Sequence, residues 1–368
     1  MRVLIDLVSL DGGGAERQVI LLASGLAARG DAPLVVVNKR VNSYRGEIVA
    51  RGIDVLELGR ESRFDVRLLS DLVQQVHAFR PDVILCVSFN ATFWGRLAAV
   101  ATGTPVVVAE HSSRPDRPGI VLSNRLLAPF TSAVVACAHG QKTSLIASGH
   151  RNSQIRVVHN GIDVDAVVRS EELRKTIRAE LGIPSGSLLV GLVAGHRREK
   201  RHDRFIAVIE KLCAEGADAW GLMVGDGALF ERNARAVRQS RVAARIRILG
   251  ARTDVEAVYS ACDAVALVSD SVEAFPMCLL EAQACAVPVV AMDVGGVSET
   301  FRDGKTGFLV QGGDVDGMAR ALRTLAGNSE LRARMGAEAR HLAEREFTSD
   351  RMVAQYAEVF RSATGIRD

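Results

Sequence analysis

The sequence predicts an α/β protein of two doubly wound parallel-sheet domains. Three observations carry this. Short apolar runs alternate with helical patterns along the whole chain, and that alternation marks βαβ units feeding a parallel sheet. The 368 residues suit two domains of ordinary size better than one. The turns that carry glycine, proline or clustered charge fall where strands run into helices, the edge at which such sheets bind ligands.

The elements follow in order. Arg2 to Leu7 reads as a first strand, then Gly12-Gly13-Gly14-Ala15-Glu16, then an amphipathic helix from Arg17 to Arg29 ended by Gly30. A glycine-rich turn between strand and helix lets a ligand approach the backbone closely. It is not G-x-G-x-x-G, and no acidic residue completes a dinucleotide fingerprint, so NAD is set aside. Strands are expected at Leu34 to Asn38, Asp54 to Leu58, Val83 to Val87, Pro105 to Ala109, Ala133 to Ala138 and Ile155 to Val158. Helices are expected over Val66 to Phe79 and Thr92 to Thr102. Glu110-His111 lies at a strand's carboxyl end. The stretch Arg114 to Phe130 mixes arginines with apolar residues, and its second half, Val121 to Phe130, reads as a short amphipathic segment.

A second domain is expected from about residue 169. A basic helix, Glu171 to Leu181, precedes the strand Leu188 to Ala194, and the next turn, Gly195 to Asp203, holds four arginines and lysines. Cations at a strand's carboxyl end suit a diphosphate. Trp220 to Val224 and Ile246 to Leu249 are strands leaving into Gly225-Asp226-Gly227 and Gly250-Ala251-Arg252-Thr253-Asp254. The central stretch is a strand from Ala264 to Val268, a polar turn from Ser269 to Glu273, a helix entered at Pro276, and a second strand from Val289 to Met292. Proline is tolerated in a first helical turn, whose free N–H groups favour an anion. Gly307 to Val310 is the last strand. Helices follow from Asp314 to Ala326, Ser329 to Glu346 and Ser349 to Phe360, the last with Met352, Tyr356 and Phe360 four apart as a packing stripe.

Bulk properties narrow the function. With 48% hydrophobic and 24% charged residues the chain is an ordinary globular protein. No apolar run reaches the roughly 18 residues that span a bilayer. The N-terminus enters a strand at once, which predicts a cytoplasmic protein. The net charge of +3 gives no case for nucleic acid; the excess lies before residue 169, where 18 basic residues face 15 acidic ones. That permits weak contact with an anionic membrane surface. None of the six cysteines forms C-x-x-C, so reduced, mostly buried thiols are expected. Asp163 and Asp165, like Asp314 and Asp316, form D-x-D pairs. Both pairs sit at turn or helix-start positions, where aspartate caps free N–H groups, so no metal site is assigned.

One pattern names a family. Glu273 and Glu281 are separated by seven residues, with Phe275-Pro276 after the first, Ala282 after the second, and Val287 to Glu299 (VPVVAMDVGGVSE) beyond. This resembles the E-x7-E signature of retaining glycosyltransferases of the GT-B fold, most closely glycosyltransferase family 4. The resemblance implies two Rossmann-like domains facing across a cleft: an acceptor-side domain at 1–168, a nucleotide-sugar-binding domain at 169–346, and a C-terminal helix at 347–368 crossing back onto the first. It implies a sugar moved from a nucleoside-diphosphate sugar, UDP- or GDP-linked, to a hydroxyl acceptor with retained configuration and with no metal or cofactor. The acceptor would be a bacterial surface glycan, a lipid-linked sugar or a small natural product. A nucleotide-sugar 2-epimerase and a non-catalytic nucleotide-sugar binder remain as alternatives.

The roles carried over are as follows. Glu273 would hold the donor sugar and Glu281 the ribose. Lys200 would neutralise the leaving diphosphate together with the N–H groups of Met277, Cys278 and Leu279, beside Phe275. The turn holding Arg252 would line the base pocket. Gly13 and Gly14 would touch the donor, His111 would face its sugar, and Glu16 and Asn160 would lie on the acceptor side. Two departures stand out. Ala274 replaces the family's glycine, and Gly195 occupies the arginine position of the G-R-x-x-x-x-K-G element, leaving Arg197 as the substitute cation.

Overall fold

The computed structural model describes residues 1–11, 13–40, 43–60, 62, 65–111, 118–271 and 273–366. The chain divides into two compact units. The first is Met1–Gly161 together with the chain from Ser349 onward, and the second is Ile162–Thr348. The first division thus falls earlier than the expected residue 168. The segment after Gly161 belongs to the second unit because its backbone is bound there. Ile162 N–H donates to the Phe347 carbonyl at 2.8 Å, and the Arg340 guanidinium donates to the carbonyls of Val164 and Val167 at 2.8 and 3.1 Å.

The first unit holds a seven-stranded parallel sheet. Its strands are β1 (Arg2–Leu7), β2 (Ala32–Val37), β3 (Asp54–Glu57), β4 (Val83–Val87), β5 (Val106–Glu110), β6 (Ala133–Ala136) and β7 (Ile155–Val157), in the order β3-β2-β1-β4-β5-β6-β7. Near-continuous runs of valine, leucine and isoleucine explain the strands, since helices cover both faces and no polar alternation is needed. Its helices are α1 (Gly14–Ala28), α2 (Arg45–Ala50), α3 (Arg67–Phe79), α4 (Phe89–Thr102), α5 (Pro118–Leu127) and α6 (Lys142–Ala147).

Three starts differ from expectation. Helix α1 begins at Gly14, so Gly14, Ala15 and Glu16 form its first turn rather than a loop before it. Helix α4 begins at Phe89, ahead of Thr92. Helix α5 begins at Pro118, because proline needs no N–H partner in a first turn. The helices α2 and α6, six residues each, are too short for a periodic signal and were not expected. Gly12 and residues 112–117, with Arg114, lie outside the described residues.

The second unit holds a six-stranded parallel sheet, β8 (Leu188–Val193), β9 (Ala219–Val224), β10 (Ile246–Leu249), β11 (Ala264–Leu267), β12 (Val289–Met292) and β13 (Gly307–Val310), in the order β10-β9-β8-β11-β12-β13. Its helices are α7 (Glu171–Glu180), α8 (His202–Ala214), α9 (Phe230–Gln239), α10 (Val255–Ala261), α11 (Met277–Ala284), α12 (Val315–Ala326) and α13 (Ser329–Glu346). The D-x-D aspartates act on backbone and cations. Asp314 caps α12 through the Gly317 N–H at 2.7 Å, Asp316 pairs with Lys211 at 2.5 Å, and Asp163 accepts from the Asp165 and Ala166 N–H groups at 3.2 and 3.1 Å.

The last helix, α14 (Ser349–Thr364), packs in the first unit's core. Met352, Val353, Tyr356, Val359 and Phe360 join α1 and the sheet there. Gly25 of α1 permits this, because a Cβ at that position would overlap the Val353 side chain. Burying these five side chains of one helix face is worth about 1.5–3 kcal/mol each.

On the sheet's other face sits one discordant group. Asp6, on the interior strand β1, is fully buried beside Cys86 and Gly95, and neither of its carboxylate oxygens has a hydrogen-bond partner among the described residues. Burial holds its pKa well above the usual carboxylate range. A carboxyl raised in the folded state binds more protons there than when unfolded, so its contribution to stability falls as pH rises above the unfolded value. Asp6→Asn is therefore expected to raise the melting temperature relative to the native chain, and by more at pH 8 than at pH 5. Thermal unfolding of both proteins at the two pH values checks this; an equal difference at both would contradict it.

Candidate active site

In the second sheet the strand order reverses between β8 and β11, and such a switch point opens a crevice at the strands' carboxyl ends. Two loops leave there. One runs from β8 through Gly195 to a single 3-10 turn, Arg198–Lys200. The other runs from β11 through Ser269 to Glu273. A backbone bond ties them, Asp270 N–H donating to the Glu199 carbonyl at 3.1 Å.

The two loops bring Lys200 and Glu273 together. Lys200 Nζ lies 2.5 Å from Glu273 Oε1, with both side chains largely buried. Ser269 Oγ donates to the same oxygen at 2.5 Å. Glu273 is 4% exposed, and its Oε2 has no hydrogen-bond partner among the described residues. Its backbone is fixed as well. Gly296 N–H donates to the Glu273 carbonyl at 2.9 Å. Gly295 has φ 59°, and a Cβ there would overlap that carbonyl oxygen, so only glycine fits.

Charge on the β8 loop is narrower than the run of cations suggests. Arg201 is paired with Asp203 at 2.7 Å and Asp270 at 3.2 Å. These pairs hold it in a left-handed conformation, φ 47°, that arginine rarely adopts. The loop is flanked by His196 and His202, both buried and stacked 4.1 Å apart. Burial lowers the pKa of both, that of His202 to about 4, so neither adds charge near neutrality. Arg197 is 60% exposed, with its Nε 3.6 Å from Glu199 Oε1. The same Nε lies 3.6 Å from where a Cβ on Gly195 would be.

Helix α11 starts at Met277, directly after Pro276. One of its expected free donors is engaged: Leu279 N–H donates to the Pro276 carbonyl at 3.2 Å, because the first turn is tight. Glu281 is buried in α11, where the Tyr259 hydroxyl of α10 donates to its Oε2 at 2.7 Å. Cys278 has its thiol pKa pushed up to about 12, chiefly by burial, so it is no nucleophile. Phe275 is buried edge-to-face on Phe347, 5.5 Å between ring centroids, which makes its ring part of the core. Arg252 stands apart, at the carboxyl end of the edge strand β10. It is paired with Asp254 at 2.6 Å and Glu180 at 3.5 Å.

The first unit is built separately. Gly13 precedes α1 with extended backbone, and a Cβ on it would overlap the Glu16 carboxylate, which folds back over it. Gln18 of α1 clamps Gly161, donating to its carbonyl at 2.8 Å and accepting its N–H at 2.9 Å, beside the buried Asn160. His111 follows β5 directly. Its Nδ1 lies 3.2 Å from Cys137 Sγ, and burial depresses its pKa to about 4.

Sequence reading missed Ser269, Tyr259, Cys137, Gln18 and Gln141. Their one signal is a polar or thiol side chain inside or beside an apolar strand or helix, which does not reveal a partner far along the chain. All six cysteines are free thiols. No described helix is long and apolar enough to cross a membrane.

Known proteins share this architecture. The family model Glycosyltransferase Family 4 matches residues 12–166, and Glycosyl transferases group 1 matches residues 174–342. The chain is 30% identical over 294 residues to N-acetyl-alpha-D-glucosaminyl L-malate synthase of Bacillus anthracis, covering 78% of this chain and 74% of that protein. It is 32% identical over 263 residues to D-inositol 3-phosphate glycosyltransferase of Mycolicibacterium paratuberculosis, covering 68% of this chain but only 58% of that one. HepE of Anabaena, solved with UDP and glucose, superposes with a TM-score of 0.87 at 24% identity over 98% of this chain and all of its own. A glycosyltransferase of Rickettsia africae gives 0.86 at 20% identity, covering 98% of each chain. With both halves matched and a relative aligned over most of both chains, this protein belongs to glycosyltransferase family 4 and is a glycosyltransferase of the GT-B fold.

Proposed function

We propose that the chain moves a sugar from a nucleoside-diphosphate sugar to a hydroxyl acceptor, with retained configuration and without a metal. The observation that carries this is the Lys200–Glu273 pair at the switch point of the second sheet. An ammonium has three N–H donors. Lys200 gives one to Glu273 and keeps two for a diphosphate. Arg197 and the amino-terminal end of α11, beside Met277 and Cys278, add positive potential through the guanidinium and the helix dipole. Fixed charges of this kind stabilise a departing diphosphate without reorganising during the reaction.

Glu273 is the carboxylate beside the donor sugar, where negative charge favours a reacting carbon that gains oxocarbenium character. Its Oε1 is held by Lys200 and Ser269, which leaves Oε2 for a sugar hydroxyl. Glu281, oriented by Tyr259, takes the ribose. The family resemblance assigns the sugar portion of the donor to Gly13, Gly14 and His111, and the acceptor to Glu16 and Asn160. A 2-epimerase would need further acid–base carboxylates.

The acceptor is a hydroxyl compound, either a surface glycan or a small molecule. The relatives' names carry L-malate and inositol 3-phosphate, both small and anionic, which favours a small anionic acceptor. Location in the cytoplasm suits such a reaction. Helix α5 and the turn after it leave Leu122, Leu126 and Phe130 more than half exposed, with Arg125 among them. This face fits peripheral contact with an anionic bilayer.

Three measurements test the reading. Thermal shift against UDP, GDP, ADP, dTDP and CMP is expected to single out one nucleotide, with UDP, the ligand bound in HepE, tried first. The shift should survive EDTA, vanish in Lys200→Ala and shrink in Arg197→Ala; no shift with any nucleotide would sink the site. Glu273→Gln is expected to lower turnover about 10²–10³-fold, with the product's anomeric configuration read by NMR; inversion would overturn retention. Sedimentation with phosphatidylglycerol vesicles is expected for the native chain and reduced in Leu122→Ser/Leu126→Ser; equal sedimentation of the two proteins would remove the membrane contact of this face, and equal sedimentation with neutral vesicles would remove its anionic preference.

A further inference from the structure

We infer that Cys137 fixes the tautomer of His111, keeping the imidazole proton on Nε2, and so acts as a positioning residue for the donor-sugar contact. This rests on the assignment of His111 given above. The geometry lies wholly within the first unit. Glu110 of β5 and Ala136 of β6 are register partners, so the next residues, His111 and Cys137, emerge side by side at the sheet's carboxyl edge. Cys137 Sγ lies 3.2 Å from His111 Nδ1 and 3.4 Å from the Glu110 carbonyl oxygen.

Both groups are neutral near pH 7. Burial pushes the Cys137 thiol up to about 12 and holds His111 near 4. Two arrangements of the protons are then possible. The thiol can donate to the Glu110 carbonyl and accept from Nδ1–H, or it can donate to a bare Nδ1 and leave the ring proton on Nε2. Gln141 decides between them. This fully buried side chain accepts the Cys137 N–H at 2.8 Å and donates to the Glu110 carbonyl at 2.9 Å. One of that carbonyl's two lone pairs is thus taken by a good amide donor, and the thiol's own contact with it is the longer of the two. A thiol sulfur is a weak acceptor, whereas a bare imidazole nitrogen is a good one. The thiol proton therefore points to Nδ1.

The chemical consequence is an uncharged N–H donor at Nε2. It can bind a hydroxyl oxygen of the donor sugar. Being neutral, it adds no positive charge beside a carbon that is itself becoming positive. An Nδ1–H tautomer would present a lone pair at Nε2 instead, and would favour a different hydroxyl orientation.

Long-range proton–nitrogen correlation NMR on protein labelled with ¹⁵N-histidine shows which ring nitrogen carries the proton, and it needs no substrate. His111→Gln identifies the resonance by its loss. The native chain and Cys137→Ser are expected to show Nε2–H, and Cys137→Ala a mixed or reversed tautomer. In turnover, Cys137→Ala should lower kcat about tenfold with nucleoside diphosphate affinity unchanged, and Cys137→Ser should restore it. His111→Gln, which keeps an amide N–H near the Nε2 position, should retain more turnover than His111→Asn. Protonation at Nδ1 in the native chain, or an unchanged tautomer in Cys137→Ala, overturns the inference. An Nε2–H tautomer with turnover indifferent to both His111 variants overturns the positioning role. That last result would also remove His111 from the donor contacts, while leaving the nucleotide site of the second unit standing on its own thermal-shift result.

Discussion

The second unit's carboxyl edge depends on one buried ion pair, Lys200 with Glu273. Burying such a pair is a poor route to stability, because removing both charges from water costs about as much as their attraction returns. Its surroundings show what it does instead. Ser269 binds the same carboxylate oxygen, Gly296 holds the glutamate backbone, and Gly295 exists because no side chain fits there. Three elements, the β8 loop, the β11 loop and the turn after β12, converge to hold one carboxylate and one ammonium. The result is a pre-positioned pair that is nearly neutral when empty. For the proposed donor, Lys200 would offer two further N–H groups to a diphosphate, and the second carboxylate oxygen of Glu273 would face a sugar hydroxyl.

The rest of the edge shows the same economy of charge. Arg201 is consumed by Asp203 and Asp270, Arg252 by Asp254 and Glu180, and His196 and His202 are kept neutral by burial. A count of cations along residues 195–203 therefore overstates the field a ligand would feel. Within that turn, Lys200 remains as the fixed cation, with Arg197 and Arg198 both exposed. Arg201 also shows how a strained backbone is held. It holds a left-handed position, suited to glycine, and two carboxylates oppose the strain of that conformation.

Much of the fold was legible because parallel strands buried on both faces read as unbroken apolar runs, and each of the thirteen strands among the described residues carries such a run or its remnant. Short helices such as α2 and α6 offered too few turns for periodicity. The Glu273 and Glu281 spacing was legible, as was the position of Lys200. Their partners were not. Ser269, Tyr259 and Gln141 look in sequence like any polar residue near an apolar element, and Cys137 reads as one more buried thiol. Each gains its meaning from a contact 4 to 31 residues away. Phe275 and Leu279 show the converse. They sit inside the recognised motif, yet the Phe275 ring packs on Phe347 and the Leu279 N–H closes a tight first turn on Pro276. A motif marks a stretch of backbone; it does not say which of its atoms face the ligand.

Gly195 and Arg197 make the same point about electrostatics. The guanidinium the family places at residue 195 would be anchored at the end of β8. Here Arg197 brings its Nε to within 3.6 Å of where a Cβ on Gly195 would be, so a guanidinium still lies beside this turn. Its anchoring differs. An arginine rooted two residues further along, on a loop and 60% exposed, keeps rotamer freedom that an inward-pointing one has lost, and ordering it costs about 0.5–1.5 kcal/mol when a ligand binds. Its field is also screened by solvent. Lys200, buried and already ordered by Glu273, incurs neither cost. The two cations are therefore unequal by construction. For the proposed diphosphate, the fixed one would set where it sits, and the mobile one would add attraction that weakens with salt.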